Sequence, residues 1–161
     1  MDSGPFTIAE NALTALLLAG KVITISESPK RTPMCDDELL TAARRAANVA
    51  HCPYSHFRVG AAVLLDGRVF TGCNIENGSY ALTMCAERVA IFSAVAAGCK
   101  SMSAIAVACV DALPNNGLSH RMPCGACLQV MAEFGGDDMR ILVDGAGIYE
   151  LADLLPNPFR L

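Results

Sequence analysis

Apolar residues along this chain recur in two rhythms, one helical and one of strand type, and glycine or proline marks most of the breaks. Leu39, Leu40, Ala43, Ala46, Ala47 and Ala50 fall at helical spacing and make one stripe, with Arg44 and Arg45 outside it. Asp36, Asp37 and Glu38 precede that stripe, where the positive end of a helix dipole favours carboxylates, and Pro53 is expected to end the helix. Val59 to Leu65 and Arg68 to Cys73 read as strands joined at Asp66-Gly67, a two-residue hairpin signal. Cys85 to Ala97 is apolar on nearly every face and predicts a buried helix capped by Gly98. A strand over Ala104 to Val110 follows, then a loop at Pro114-Asn115-Asn116-Gly117. Cys127 to Phe134 is a second buried helix, stopped by Gly135-Gly136. Arg140 to Val143 and Ile148-Tyr149 supply two further strands, and Ala152 to Leu155 a short last helix. Strand–helix–strand units cross over into parallel pairs, so this order predicts an α/β fold with a mixed sheet and helices on both faces.

Residues 1–34 stand apart. Ile8, Leu13, Leu16 and Leu17 suggest a short amphipathic helix ended by Gly20, and Ser26 to Pro33 reads as a linker because its prolines and polar residues resist helix and strand. The expected organisation is an N-terminal extension and linker over 1–34 and one domain over 35–161.

Composition narrows the function. The 161 residues are 53% hydrophobic but only 6% aromatic, so the core must be aliphatic and rich in alanine. A net charge of −4 without a Lys/Arg run is a poor match to a phosphate backbone and points to a small neutral substrate rather than nucleic acid. Eight cysteines could suggest disulfides, but those frameworks belong to small secreted chains without a core. Ala12 to Ala19 is apolar, yet Asp2 and Glu10 precede it instead of basic residues, and the run is too short for a bilayer. The expectation is a cytoplasmic chain with reduced thiols and no membrane partner, in which Cys35, Cys52, Cys99 and Cys109 are ordinary core or surface residues.

The chemistry gathers between Cys73 and Cys127. Cys85-Ala86-Glu87-Arg88 and Pro123-Cys124-Gly125-Ala126-Cys127 offer three cysteines that can supply thiolates to one zinc ion. A tetrahedral zinc with three protein ligands keeps its fourth position for water, and a nearby carboxylate such as Glu87 could carry that water's protons. Each ligand piece sits at a predicted helix start, where the dipole favours thiolate over thiol.

These two pieces resemble the cytidine deaminases of the small, homotetrameric, zinc-dependent type. The likeness extends to Cys73-Asn74-Ile75-Glu76-Asn77-Gly78-Ser79-Tyr80, to Tyr54-Ser55-His56-Phe57-Arg58-Val59-Gly60-Ala61-Ala62 and to Leu154-Leu155-Pro156-Asn157-Pro158-Phe159. The five motifs stand in that family's order and cover nearly everything from about residue 35 onward. The resemblance implies a three-layer α/β/α sandwich with about five strands. It implies one Zn²⁺ per chain on Cys85, Cys124 and Cys127, with Arg88 offsetting the negative charge of the thiolates. It also implies hydrolytic deamination of cytidine or deoxycytidine at ring carbon 4, with water activated at the zinc and Glu87 as proton shuttle. Phe57 would contact the pyrimidine, the Ala86 N–H would help hold the base, and Asn74 and Glu76 would bind ribose hydroxyls. Gly78, Ser79, Tyr80 and Phe159 match positions that reach a neighbouring subunit's site. Three residues depart from the family's usual pattern: Gly78 for Ala, Met122 for Ser or Thr, and Leu128 for Arg. The last removes a second cation near the thiolates and leaves more to Arg88.

Other readings start from the same residues. His120, four residues before Cys124, could close a structural zinc site as a fourth ligand, whereas His51 and His56 have no reason to reach the metal. A nucleic-acid editing deaminase needs a basic groove that the charge balance does not offer. A deaminase of a cytosine-nucleoside analogue, such as blasticidin S or an N4-substituted cytidine, would share the fold; the Asn74–Glu76 pair favours an ordinary nucleoside.

Overall fold

A computed structural model of the protein describes residues 34–161, and the expected helix before Gly20 and the 26–33 linker lie outside that range. The first helix, α1 (Asp36–Ala47), starts at Cys35, whose N–H donates to the Glu38 carboxylate at 3.0 Å, so the acidic first turn caps the helix as its composition predicts. It ends at Ala47 with Asn48 as cap, well before Pro53. The chain leaves the helix because His51 is already drawn into a bridge with Ile75, so Pro53 is not what stops it. Strands β1 (Val59–Leu65) and β2 (Arg68–Cys73) form the expected hairpin. Asp66 and Gly67 both have positive φ, the geometry a two-residue turn needs to match strand twist.

Helix α2 (Ala86–Ala96) follows, then β3 (Met102–Cys109), α3 (Gly125–Phe134), β4 (Gly135–Val143), β5 (Gly147–Glu150) and the short α4 (Leu151–Leu154). Helix α2 closes with Gly98 N–H on Val95 O and Cys99 N–H on Ala94 O, the paired bonds of a Schellman cap. Strand β4 begins at Gly135, five residues before the expected Arg140, because Gly135 is extended and pairs with Met102 across a register shift. The glycine pair therefore ends the helix and opens the strand in one step.

The five strands lie in the order β2-β1-β3-β4-β5. Only β3 and β4, joined through α3, form an adjacent parallel pair. The β2–α2–β3 unit is also a crossover between strands of one direction, but β1 lies between them and is antiparallel to both. The sheet is mixed, as expected.

Alternation along the strands divides the core into two layers. Val63, Leu65, Ile105, Val107, Ile141 and Val143 face α2, α3 and α4. Ala62, Ala104, Ala106, Ala108 and Leu142 face Leu39 and Ala43 of α1. The first layer holds the large aliphatic side chains, each worth about 1.5–3 kcal/mol when fully buried, so it carries most of the hydrophobic stabilisation. The alanine layer compensates by close approach: a Cβ on Gly60 would collide with the backbone of Ala43 and Ala47. The result is the three-layer α/β/α sandwich.

Helix α2 is not buried all round. Phe92 is 44% exposed and Ser93 and Ala96 are open, because among the described residues no further layer covers its outer side. Among the described residues, no helix is long and apolar enough to cross a membrane. All eight cysteines are free thiols, with Cys99 and Cys109 buried, Cys52 half-buried and Cys35 exposed.

Candidate active site

Two helix N-termini converge at one end of the sheet. Cys85 is the N-cap of α2 and Cys124 the N-cap of α3, both in extended conformation, and Cys127 lies in the first turn of α3. The Cys85 and Cys124 sulfurs are 3.9 Å apart and those of Cys124 and Cys127 3.5 Å apart, and all three lie within 4.8 Å of one another. Zinc–sulfur bonds of about 2.3 Å at tetrahedral angles put ligand sulfurs about 3.8 Å apart, so the triad fits a zinc ion with little adjustment.

Charge around the sulfurs agrees with that fit. Hydrogen bonding with the Cys127 thiol, assisted by Arg88 and opposed by burial, brings the Cys85 thiol down to about 5. The same hydrogen bond and burial push Cys127 upward. Cysteine ligands bind zinc as thiolates, so a group that stabilises negative charge on these sulfurs favours the metal. Arg88 donates to the Cys85 sulfur and to Thr83 O, each at 3.5 Å, and its Nε is buried with no partner among the described residues. A guanidinium so placed favours an anionic cluster.

The sulfurs of Cys85 and Cys124 open onto a cavity of about 210 Å³, whose walls include Phe57, Asn74, Ala86, Glu87, Cys109, His120, Arg121 and Met122. That is smaller than the ~300–1,000 Å³ of sites for drug-sized ligands and suits one small ring. Glu87, on the first turn of α2, is 4% exposed, and burial is the first cause that raises its carboxyl to about 6. A carboxyl of that pKa exchanges protons readily near neutral pH.

The structure brings Phe57, Asn74, Cys85, Ala86, Glu87 and Cys124 to one cavity, with Cys127 and Arg88 against the sulfurs. Asn74 uses its amide at both ends, accepting from Val59 N–H and donating to Phe57 O, each at 2.8 Å. Glu76 does not line the cavity. Its carboxylate is buried and accepts the N–H groups of Tyr54 at 2.9 Å and Ser55 at 3.2 Å; a hydrogen bond from the Ser55 side chain, opposed by burial and aided by these two, holds it below its usual pKa. These bonds shape the turn before Phe57, where His56 adopts positive φ and directs the next residue inward. Gly78, Ser79, Tyr80 and Phe159 are exposed and line no part of this cavity. His120 lines it but is not among the residues whose ligand atoms cluster with the sulfurs, so the described residues form no four-ligand closed site.

Sequence reasoning missed Val107, Cys109 and Arg121. The first two close strand β3, and ligands of open α/β sheets bind beyond the carboxyl ends of strands, so that rule would have pointed to them. Arg121 belongs to a loop, and no periodicity marks it.

Three sulfurs at zinc spacing, an open side facing a cavity and a buried carboxyl within it define a metal-dependent hydrolytic centre on an α/β/α scaffold. Comparison with known proteins carries this further. A family model described as the cytidine and deoxycytidylate deaminase zinc-binding region matches residues 33–143. A cytidine deaminase of Sporosarcina psychrophila is 43% identical over 128 residues, covering 76% of this chain and 90% of that one. A probable cytidine deaminase of Dictyostelium discoideum is 49% identical over 102 residues, and this match spans 62% of the chain and 65% of that relative. Among solved structures, a cytidine deaminase from Burkholderia pseudomallei superposes with a TM-score of 0.68 at 43% identity, covering 78% of this chain and 100% of that one. The chain belongs to the cytidine and deoxycytidylate deaminase family, a family of zinc-dependent hydrolases.

Proposed function

We propose that the protein hydrolyses cytidine and deoxycytidine to uridine and deoxyuridine with release of ammonia. The observation that carries this reading is three sulfurs at zinc spacing, two of whose cysteines, Cys85 and Cys124, share a cavity with buried Glu87. Cys85, Cys124 and Cys127 would hold the ion. When bound, zinc would supply Lewis acidity at its open fourth position, making water nucleophilic at neutral pH. Three thiolates on a divalent ion leave about one negative charge, which Arg88 offsets through its bond to Cys85.

Glu87 handles the protons. It accepts one proton from water as the oxygen bonds to carbon 4 and delivers it to the adjacent ring nitrogen. It then takes the second proton from the new carbon-4 hydroxyl and gives it to the amine, whose bond to carbon 4 breaks as the carbonyl forms, so that water and cytidine give uridine and ammonia. A carboxyl raised toward neutrality can do both, because neither protonation state is far out of reach. The Ala86 N–H is among the unpaired donors of a helix first turn and faces the base's carbonyl oxygen. Phe57 packs against the pyrimidine. Asn74 retains one N–H and one lone pair for a ribose hydroxyl beyond the bonds it already makes, and Glu76 keeps one carboxylate oxygen.

We further take the working form to be a homotetramer. Tyr80 and Phe159 are 66% and 70% exposed and, with Gly78 and Ser79, line no part of their own cavity, which leaves them free to serve a second copy's. Exposed Phe92 on the uncovered side of α2 gives such a contact an apolar surface. Residues 35–161 constitute the deaminase domain and 1–34 an extension to it. Free thiols throughout suit a reducing, cytoplasmic setting.

The test is an ultraviolet-absorbance screen of the zinc-loaded protein on cytidine, deoxycytidine, blasticidin S and N4-substituted cytidines. Turnover of the first two is expected. A fully zinc-loaded protein that turns over neither, yet acts on an analogue, would replace this substrate assignment.

A further inference from the structure

Between β3 and α3 the chain runs through a loop longer than the ~12 residues usual for an unstructured connection, and it contains only one 3-10 turn, Leu118–His120. This loop delivers Cys124 to the metal site. The helix that follows does not fix Cys124 alone, because an N-cap residue is half outside the helix and its direction depends on the chain before it. What holds the loop therefore bears on the metal.

Its own backbone bonds, such as Asn116 N–H to Leu113 O and Met122 N–H to Leu118 O, close locally. The start of the loop is tied separately, by Ala112 N–H donating to Cys109 O and by Arg58 donating to the Asp111 carboxylate. Among the described residues, the hydrogen bonds that tie 113–123 to the rest of the fold run through Arg121. Its NH1 donates to Asp144 O at 3.4 Å, and its own carbonyl accepts the Cys109 thiol at 3.8 Å. Its NH2 donates to Ala112 O and Leu113 O at 3.1 Å each, drawing the end of the loop onto its beginning. The anchor beyond is itself held firmly. The Asp144 carboxylate takes a two-pronged bond from Arg44 at 2.6 and 2.8 Å, and the Asp144 N–H donates to Val107 O at 2.9 Å. One guanidinium thus joins the exits of β3 and β4 three residues before a metal-binding thiolate.

We propose that Arg121 is a positioning residue of the metal centre: by clamping the Cys124 loop to the carboxyl ends of β3 and β4, it sets the zinc affinity of the three-thiolate site. This rests on the assignment of Cys85, Cys124 and Cys127 as zinc ligands. Loosening the clamp frees the loop, and zinc must then order Cys124 before binding it. A lysine cannot replace the clamp, because a point cation on a flexible stem cannot span three carbonyls as a planar fork does.

The experiment is a competition titration of zinc against a chromophoric chelator on the full chain, for the parent, Arg121→Ala and Arg121→Lys. The melting temperature of each zinc-free form is measured beside it. Partners that orient metal ligands typically contribute ~10–100-fold in affinity, so Arg121→Ala should raise the zinc Kd at least ~10-fold and Arg121→Lys several-fold. Should the alanine variant fail to fold, the lysine variant decides. A Kd within twofold of the parent in every variant that folds overturns the proposal. So does a lower zinc-free melting temperature with Kd unchanged, since the clamp would then be structural only. Full restoration by lysine would assign the effect to charge and overturn it as well. A parent protein that takes up no zinc would remove the ligand assignment itself, an outcome distinct from these.

Discussion

Gly72 on β2 lines no part of the cavity, yet its replacement should slow the enzyme. A Cβ built at this position would sit 2.5 Å from Ala90 N and 2.6 Å from Ala86 O of α2, and 2.9 Å from Val89 Cβ. Two of those neighbours are helix backbone, so no side chain can swing aside to make room. Ordinary carbon contacts need ~3.5–4.0 Å, and the helix must therefore move outward by roughly 1 Å. That movement falls on the turn that carries Cys85, Ala86, Glu87 and Arg88, while Cys124 and Cys127 stay with α3. Overpacking of this kind costs about 1–3 kcal/mol in stability, and a misplacement of ~1 Å in reacting groups costs ~10²-fold in rate. Gly72→Ala should show both in urea unfolding and in kcat measured on zinc-loaded, folded protein. A variant with the parent's stability and turnover would refute the idea that β2 sets the position of the catalytic helix.

Two further outcomes follow from the same geometry. Cys124→Ala should lose stoichiometric zinc by metal analysis and unfold at lower denaturant, since metal binding is linked to folding; a variant still loaded one-to-one would remove Cys124 from the ligand set. Arg58 holds the Asp111 carboxyl down to about 2 through side-chain and backbone hydrogen bonds. A depressed folded pKa stabilises above the ordinary aspartate value near ~3.9 and loses that contribution as pH falls toward the folded one. The stability gap between parent and Asp111→Asn should thus be full at about pH 5 and shrink by about pH 3. A gap that stays constant over that range would contradict the pairing.

Much of the fold was legible because local chemistry and tertiary structure agree. Asp66-Gly67 marks a turn that few other pairs can make, and both strands of that hairpin end where the pattern says. The acidic triplet before Leu39 and the cysteine motifs likewise mark true helix starts. What stayed hidden depends on partners distant in the chain. Helix α1 ends early because residue 51 pairs with residue 75, and the open side of α2 was hidden because nothing in its own pattern says which of its faces a neighbour covers. At the site, residue types pointed to the three cysteines that cluster, but not to the fact that Asn74 and Glu76 each already brace the 54–59 segment. Arg121 left no trace in the sequence, since its role comes from three carbonyls on two separate turns.

The central claim is that buried Glu87 carries protons beside a metal it does not bind, and Glu87→Gln tests it most directly. Glutamine keeps the shape and can still hydrogen-bond, but it cannot exchange a proton at neutral pH. The variant should remain folded and bind zinc one-to-one, since Glu87 is not among the three clustered cysteines proposed as ligands. Its KM should change little, because Phe57, Asn74 and the Ala86 N–H are untouched. Positioned proton transfer is worth ~10²–10⁴-fold, and one residue here serves several transfers, so kcat on cytidine should fall by ~10⁴-fold or more. A zinc-loaded Glu87→Gln protein that deaminates cytidine at close to the parent rate would contradict the account.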